Sequence, residues 1–286
     1  MNQVKLKIGG VPEHFNLPWH LGIEEGAFRK NGIDLSWRDF PDGTGAMCKA
    51  LRNKEIDAAV ILTEGIIKDI LFGNEALIVQ EYIASPLIWG VHVAAESKFR
   101  TPEDLQHQKV AISRYGSGSH LMAFVNARNM GWDPTELEFE VVGNIEGAIE
   151  ALRTGKAGYF MWEHFTTKPL VDNGIFRRVA DCPTPWSCFV IAVQKEFLEQ
   201  EQPAVQNMLK TLNNITRNFK KIPKVEIALA RKYDQKSEDI EQWLKITTWS
   251  QKQISVQEVQ KVQEQLFELG LIPEVKDNTY FFTPLN

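Results

Sequence analysis

The strongest constraint on the fold is an internal repeat, in which two stretches about 100 residues apart share one order of elements. Each stretch runs strand, loop, helix, glycine, strand, glycine, helix and strand. Gly43 corresponds to Gly143, and the Ala-Leu-Arg triplet at residues 50–52 recurs at residues 151–153. Because this period is far longer than that of a solenoid repeat, the repeat predicts two similar α/β lobes rather than a continuous array.

Within each lobe, the predicted strands are short and apolar, and each is followed by a polar or Gly-rich loop and a helix. This alternation predicts a mainly parallel sheet with helices on both faces in each lobe, and a cleft between the lobes. The expected extents are residues 1–88 with 190–286 for lobe I and 89–189 for lobe II, with hinge crossings near 82–90 and 186–193. Ligands of such sheets lie beyond the carboxyl ends of the strands, so the loops after the strands are candidate binding loops.

The apolar pattern also predicts longer elements. A single strand is expected to leave lobe I and enter lobe II over residues 77–90, and a return strand is expected over residues 188–193. Helical patterns span residues 19–30, 205–219 and 256–269. The two later helices are expected to pack mostly on lobe I, which makes that lobe discontinuous.

Charge and composition exclude several function classes. The net charge of −5 argues against a nucleic-acid-binding protein, which would carry a basic surface. The apolar runs are too short for an integral membrane protein. Three cysteines without a Cys-x-x-Cys motif do not form the pattern of a disulfide framework. The first residues contain no apolar signal segment. This predicts a cytoplasmic location, or a periplasmic or extracellular one if a signal was removed.

Six segments carry a family resemblance. They are residues 9–12 (Gly-Gly-Val-Pro), 19–28, 31–34 (Asn-Gly-Ile-Asp), 43–45 (Gly-Thr-Gly), 50–57 before a strand, and 102–105 (Pro-Glu-Asp-Leu) before residues 109–111 (Lys-Val-Ala). In these segments the chain resembles the type II periplasmic-binding-protein-like superfamily, in the branch of sulfonate-, nitrate- and taurine-binding and thiamine-pyrimidine-synthase-like proteins. The resemblance implies a small-molecule-binding protein that closes on its ligand by hinge motion, with an ABC permease as partner if the protein is exported.

Three loops of lobe I hold candidate ligand-binding residues. The loop after the first strand mixes aromatic and polar side chains, which suits an organic ligand. The Gly-rich loop after the second strand allows backbone N–H groups to approach a ligand, and a carboxylate after the third strand could accept a ring N–H or an amine. The candidates are His14, Asn16, Trp19, Gly43, Thr44, Gly45, Thr63 and Glu64. Alternatively, Trp19 lies in the core and Glu64 is an ordinary acidic residue of a helix first turn.

Lobe II has the leading candidate loop, at residues 114–120. Its glycines and hydroxyls open a helix whose N-terminus favours an anionic group, and a carboxylate and tryptophans follow later strands as an aromatic wall. The candidates are Arg114, Tyr115, Gly116, Ser117, Gly118, Ser119, Trp162, Glu163 and Trp186. Alternatively, Ser117 or Ser119 only caps the helix, Trp162 lies in the core, and Glu163 belongs to a helix first turn.

Two function classes stay open at this point. The first is a binder of a small organic ligand, aromatic, heterocyclic or anionic. The second is a cytoplasmic enzyme of the thiamine-pyrimidine or menaquinone-precursor type, because a fold does not determine a function. The resemblance implies a cysteine cluster for the first enzyme type, which this chain lacks. For the second type, Glu64, Glu163, His14 or His164 would serve as acid or base. A sensor module read by a partner is a third interpretation.

No cofactor or metal is expected. The six histidines show no His-x-His, no His-Glu-x-x-His and no tight Cys/His spacing. Glu13-His14 and Glu163-His164 could form a metal site only if the two loops met. The Gly-rich loops lack the Gly-Lys-Ser/Thr sequence of a phosphate loop, and the chain has no Gly-x-Ser-x-Gly nucleophile motif.

Overall fold

Two units make up the described part of the chain. The computed structural model describes residues 3–282. The first unit comprises the described residues up to Ser85 and those from Trp186 onward, and the second unit is Pro86–Pro185. The sequence predicts that the chain changes lobe after residues 88 and 189, a few residues later than the two boundaries in the structure.

The elements alternate in the α/β order that the sequence predicts. The strands are β1 (Val4–Gly10), β2 (Ile33–Asp39), β3 (Ala58–Leu62), β4 (Ala76–Ile83), β5 (Ile88–Ala94), β6 (Val110–Ile112), β7 (Phe139–Val141), β8 (Tyr159–Glu163), β9 (Phe176–Pro183) and β10 (Phe189–Gln194). The helices are α1 (Leu17–Glu24), α2 (Ala27–Lys30), α3 (Thr44–Arg52), α4 (Thr63–Leu71), α5 (Gly118–Asn129), α6 (Ile145–Arg153), α7 (Lys168–Asp172), α8 (Lys195–Phe219), α9 (Val225–Tyr233), α10 (Ser237–Ile246) and α11 (Val256–Glu268). Within residues 3–282, no helix is both long and apolar enough to cross a membrane.

The first unit is built on a five-stranded sheet with the order β2-β1-β3-β10-β4. β1 runs parallel to β2 and β3, whereas β10 runs antiparallel to β3 and β4. Every residue of β10 and the first four of β3 are buried. Because successive side chains of a strand point to opposite faces, both faces of this sheet are covered.

The second unit repeats this arrangement with the order β7-β6-β8-β5-β9. β6 is parallel to β7 and β8, and the crossing strand β5 is antiparallel to β8 and β9. Phe160 of β8 and Phe176 of β9 pack with Ala148 and Leu152 of α6 in the core of this unit. In each sheet one strand, β10 or β5, runs antiparallel to its neighbours, and the other strands run parallel to one another. The predicted fold class of two mainly parallel α/β sheets is therefore confirmed.

The segment that passes from the first unit to the second is not the single strand expected over residues 77–90. β4 belongs to the sheet of the first unit and β5 to that of the second, and Pro86 lies between them. Proline has no N–H to donate to a strand ladder. The preceding backbone also bonds elsewhere, since Ala84 N donates to Thr248 O at 2.8 Å. The apolar run is therefore two strands.

Two predicted helices are interrupted. Within residues 19–30, α1 ends before Gly26, whose φ of +67° is a conformation that glycine adopts readily, and α2 follows. α8 begins earlier than the predicted residue 205 and has a non-helical residue at Glu201, two residues before Pro203. Proline lacks the N–H of a helical hydrogen bond and clashes with the preceding turn, which explains the kink.

The C-terminal helices belong to the first unit. α8 contacts α1 and β10, and α11 contacts α4. The first unit is thus made of two separate stretches of chain, and its sheet is completed by the return strand β10.

Candidate functional site

The carboxyl ends of the parallel strands in the first unit lie at one edge of its sheet. Gly10 at the end of β1 pairs with Asp39 at the end of β2. Phe189, where the opposed strand β10 begins, pairs with Leu62 of β3 and Ile83 of β4. The loops after β1, β2 and β3 therefore leave the sheet at this edge, which we call the first-unit edge, and they hold the predicted residues of lobe I.

Glu64 lies at this edge as the second residue of α4, with only 2% of its surface exposed. Trp186 Nε1 donates to Glu64 Oε2 at 2.8 Å. Glu64 Oε1 is buried and has no hydrogen-bond partner among residues 3–282. Burial raises the pKa of Glu64 to about 7, against the smaller opposing effects of its own N–H and of Trp186. This carboxyl group therefore has one oxygen available for a further donor.

The start of α4 contacts Cys188, just before β10, and the first residue of α3. Thr63 donates twice to Cys188 O, from its backbone N at 3.1 Å and from Oγ1 at 3.2 Å. A Cβ on Gly65 would lie 2.3 Å from Thr44 Cγ2, so a side chain larger than hydrogen does not fit there. The structure thus brings together the predicted residues Thr44, Thr63 and Glu64.

The Gly-rich loop after β2 begins a helix, as expected. Gly43 has φ +72° and ψ −156°, which L side chains rarely adopt. Thr44 is the first residue of α3, and Gly45 in its first turn is exposed. Gly43 therefore forms the turn from β2 into α3 in a conformation that favours glycine.

His14 lies in a 3-10 turn, His14–Asn16, rather than in an open loop. Its ring lies 4.2 Å from Trp243, edge to face, and is 1% exposed. Burial lowers the pKa of His14 to about 3, so the ring is neutral at neutral pH. His14 therefore packs among aromatic side chains in this structure.

Asn16 is fully buried at the start of α1. Its Nδ2 donates to Val11 O at 2.8 Å. This bond determines the orientation of the side-chain amide, because the amide oxygen cannot donate to a carbonyl. Asn16 Oδ1 has no partner among the described residues, so it is a second buried acceptor at the first-unit edge.

Trp19 takes the core position that the sequence left as the alternative. Its side chain is 0% exposed and stacks on Phe28 with ring centroids 5.8 Å apart. The ring therefore presents no face to solvent.

The sequence did not indicate that α9 and α10 contribute to this region. Trp243 of α10 contacts His14 and Phe15, and Tyr233 of α9 lies 6.2 Å from His14. Tyr82 Oη donates to Phe15 O at 2.7 Å, which ties the 3-10 turn to β4. No motif marks these residues, because their amphipathic helices carry only the ordinary signal of a buried face.

The second unit has an equivalent edge, where Ile112 pairs with Val141 and Glu163 pairs with Trp89. The loop after β6 is organised by hydroxyl groups. Ser117 caps α5 by accepting from His120 N at 3.3 Å. Ser119 Oγ accepts from Ser113 N at 3.0 Å. The helix-capping interpretation is therefore correct for Ser117.

Residues 114–116 of this loop are exposed, whereas Ser117 and Ser119 are buried. Arg114 and Tyr115 are exposed, and Tyr115 retains 65% of its accessible surface. Gly116 has φ +77°, and Gly118 is the first residue of α5. Arg114 and Tyr115 are thus open to solvent in the second unit, while the serines serve the local fold.

Glu163 occupies the position in the repeat that corresponds to Glu64, but its environment differs. It is 4% exposed, and burial raises its pKa. Glu163 Oε2 accepts from Thr166 N at 2.6 Å. Glu163 therefore stabilises its own turn, whereas Glu64 has an unpartnered oxygen.

The tryptophans expected in lobe II belong to different units of the structure. Trp162 is half-buried and stacks on Phe160 with centroids 5.5 Å apart. Trp186 belongs to the first unit and is 2% exposed, and its indole N–H donates to Glu64. Trp186 thus orients a carboxyl group of the first unit.

A metal centre is not evident in the described part of the chain. Residues 3–282 contain no group of three or more His, Cys, Asp or Glu side chains that could hold a metal ion. Of the two Glu-His pairs noted in the sequence, His164 binds Asp181 instead, with Nδ1 and Oδ1 2.9 Å apart.

Comparison with solved structures gives the class of fold. The product of the CA3427 gene of Candida albicans, described as having the generic periplasmic binding protein fold, is similar at a TM-score of 0.86 and 26% identity, over 96% of this chain and 92% of that one. The alkanesulfonate-binding protein SsuA of Xanthomonas axonopodis pv. citri, bound to MOPS, is similar at 0.82 and 16%, over 99% of both chains. The nitrate-binding protein NrtA of Synechocystis is similar at 0.74 and 14%, over 96% of this chain and 84% of that one.

These comparisons confirm the resemblance to the type II periplasmic-binding-protein-like superfamily. More particularly, a family model described as "Ca3427-like PBP" matches residues 89–182, which lie within the second unit. The comparison with curated proteins found no significant match.

Proposed function

We propose that this protein binds a small organic molecule, and that the loops at the first-unit edge take part in the binding. The observation that carries the proposal is the unpartnered, buried Oε1 of Glu64 at the first-unit edge. Buried polar atoms in native structures are nearly always hydrogen-bonded, and ligands of open α/β sheets bind at this end of the strands. A ligand that donates to Glu64 would satisfy the vacant acceptor.

The comparisons support a binding role over a catalytic one. Relatives of the same fold are described as binding components, including a sulfonate-binding protein in complex with MOPS and the ligand-binding component of an ABC-type import system of Staphylococcus aureus. We extend the binding role to this chain. An ABC permease is the partner to test if the protein is exported, and hinge motion at residues 82–90 and 186–193 is the expected response to the ligand.

A thermal-shift screen of the purified protein tests the proposal. The panel holds pyrimidines and thiamine precursors, aromatic acids, sulfonates and chorismate-derived acids. A ligand at 100 times its dissociation constant stabilises the folded protein by about 2.7 kcal/mol, which is a clearly measurable shift of the melting temperature. Glu199→Gln, an exposed change in α8, is the matched control for Glu64→Gln.

We expect at least one panel member to raise the melting temperature of the wild type and of Glu199→Gln by the same amount. The shift should be smaller in Glu64→Gln. A ligand whose effect is equal in all three proteins would show that Glu64 is not in the binding site. A panel without any effect would contradict binding of these ligand classes.

A further inference from the structure

Two buried side-chain oxygens at the first-unit edge lack a hydrogen-bond partner among residues 3–282. Glu64 Oε1 and Asn16 Oδ1 are buried and have no partner among residues 3–282, and both residues are at least 98% buried. A carboxylate oxygen and an amide oxygen accept hydrogen bonds, and an ionised carboxylate donates none. Above pH 7, where Glu64 is ionised, these two oxygens are complementary to N–H or O–H donors.

Two side-chain donors beside Glu64 already have acceptors. Trp186 Nε1 donates to Glu64 Oε2, and Thr63 Oγ1 donates to Cys188 O. An anionic ligand at this position would need donors, and it would meet a carboxyl group instead. Like charges at close range disfavour each other strongly in a buried site.

Glu64 also lacks a counter-ion within the described part of the chain. The influences on its pKa are burial, its own backbone N–H and the Trp186 indole, and no charged side chain is among them. A buried carboxyl group without a counter-ion is harder to ionise, which is why the pKa of Glu64 is raised. A cationic ligand would provide both the missing charge and the missing donor.

We propose that the ligand presents a planar N–H-donating cation, such as an amidinium, to Glu64 Oε1, with Trp186 as the residue that positions the carboxyl group. This inference rests on the proposed binding function. It differs from what the names of the sulfonate- and nitrate-binding relatives state for those proteins. An amidinium offers parallel N–H donors, which match a carboxylate in charge and in geometry.

The test compares three planar molecules of one size and different charge: benzamidine, benzamide and benzoate. Isothermal titration at pH 8 measures their affinities for the full-length wild type, Glu64→Gln and Glu199→Gln. Glutamine at position 64 keeps the side-chain length and an acceptor for Trp186 but removes the negative charge. Circular dichroism and thermal melting verify that each variant is folded.

We expect the wild type and Glu199→Gln to bind benzamidine at least about tenfold more tightly than benzoate, as the strength of a charge-assisted hydrogen bond implies. Glu64→Gln should lose most of this preference and bind benzamide as well as benzamidine. Trp186→Phe, a second variant, should weaken benzamidine binding while leaving the preference for cation over anion in place.

Three results would overturn the inference. They are tighter binding of benzoate than of benzamidine by the wild type, an unchanged preference in Glu64→Gln, and no binding of benzamidine at millimolar concentration. A thermal-shift response to a sulfonate together with no response to benzamidine would leave the binding function standing and refute only the cationic ligand. If neither benzamidine nor any member of the thermal-shift panel binds, both proposals fail.

Discussion

Glu64 and Glu163 show how one residue type acquires two roles. They follow corresponding strands of the repeat, and burial raises the pKa of both. In the turn after β8, Thr166 N donates a hydrogen bond to Glu163 Oε2. At Glu64 the donor is the indole of Trp186, and Glu64 Oε1 has no partner among the described residues. The sequence predicts both carboxyl groups equally, because the difference arises from Trp186, a residue far away in the chain.

Glu64 should make stability fall as the pH rises. Its pKa is raised from 4.5 to about 7, so between these values the folded state holds a proton that the unfolded state has lost. The contribution is full below pH 4.5, and it is lost as the pH rises through 7, by up to about 3 kcal/mol. Urea unfolding at pH 5 and pH 8 should show Glu64→Gln gaining stability relative to the wild type at the higher pH. A constant difference between the two proteins would contradict the raised pKa.

His14 should act in the opposite direction. Its pKa is lowered from 6.5 to about 3, so below pH 6.5 the unfolded state takes up a proton that the folded state does not. Stability is therefore lost as the pH falls, by about 2 kcal/mol between pH 6.5 and pH 5. His14→Gln removes this dependence. Guanidinium unfolding at pH 7 and pH 5 should show a smaller loss for the variant than for the wild type. Equal losses would indicate that His14 is accessible to protons.

At the scale of elements, glycines mark most of the boundaries that the sequence predicted. Gly43 and Gly143 adopt positive φ in the two repeats, with values of +72° and +77°, and each precedes a helix, α3 or α6. Such positions are predictable because glycine adopts this conformation without steric cost. The break at Gly26 was missed, because the apolar pattern continues through it. Local patterns predict elements better than they predict where one element stops.

The contact between α3 and α4 can be tested with a double-mutant cycle. Gly65→Ala should destabilise the protein by about 1–3 kcal/mol, because its Cβ would lie 2.3 Å from Thr44 Cγ2. Thr44→Ser removes that methyl group. In this background, Gly65→Ala should be neutral or stabilising, since alanine favours a helix over glycine. Chemical denaturation of the four proteins provides the coupling energy. Additive effects would show that the two helix starts do not touch.

At the scale of the whole molecule, the repeat predicted two mainly parallel sheets, and the structure confirms them. The sequence could not show that β5 and β10 each take the fourth place in a sheet and run against their neighbours. This placement depends on non-local pairing, such as Phe189 with Leu62 and Ile83. Strand order is a property of long-range contacts, which periodicity does not report.

The same limit applies to the candidate site. The loops after the strands were predicted from the general behaviour of α/β sheets, and the first-unit edge holds Thr44, Thr63 and Glu64 together. The covering of His14 by Trp243 was not predictable, because α10 lies in the C-terminal region and its sequence shows only an amphipathic pattern. Fold and loops are therefore readable from sequence, whereas side-chain partners from distant segments are not.

We propose that the protein binds a small molecule and releases it chemically unchanged. Equilibrium dialysis with the strongest ligand of the thermal-shift panel, followed by mass spectrometry of the bound and free ligand after prolonged incubation, tests this claim most directly. We expect saturable binding and recovery of the ligand with its mass unchanged in both fractions. Conversion of the ligand in excess over the protein would contradict it, because turnover would identify an enzyme.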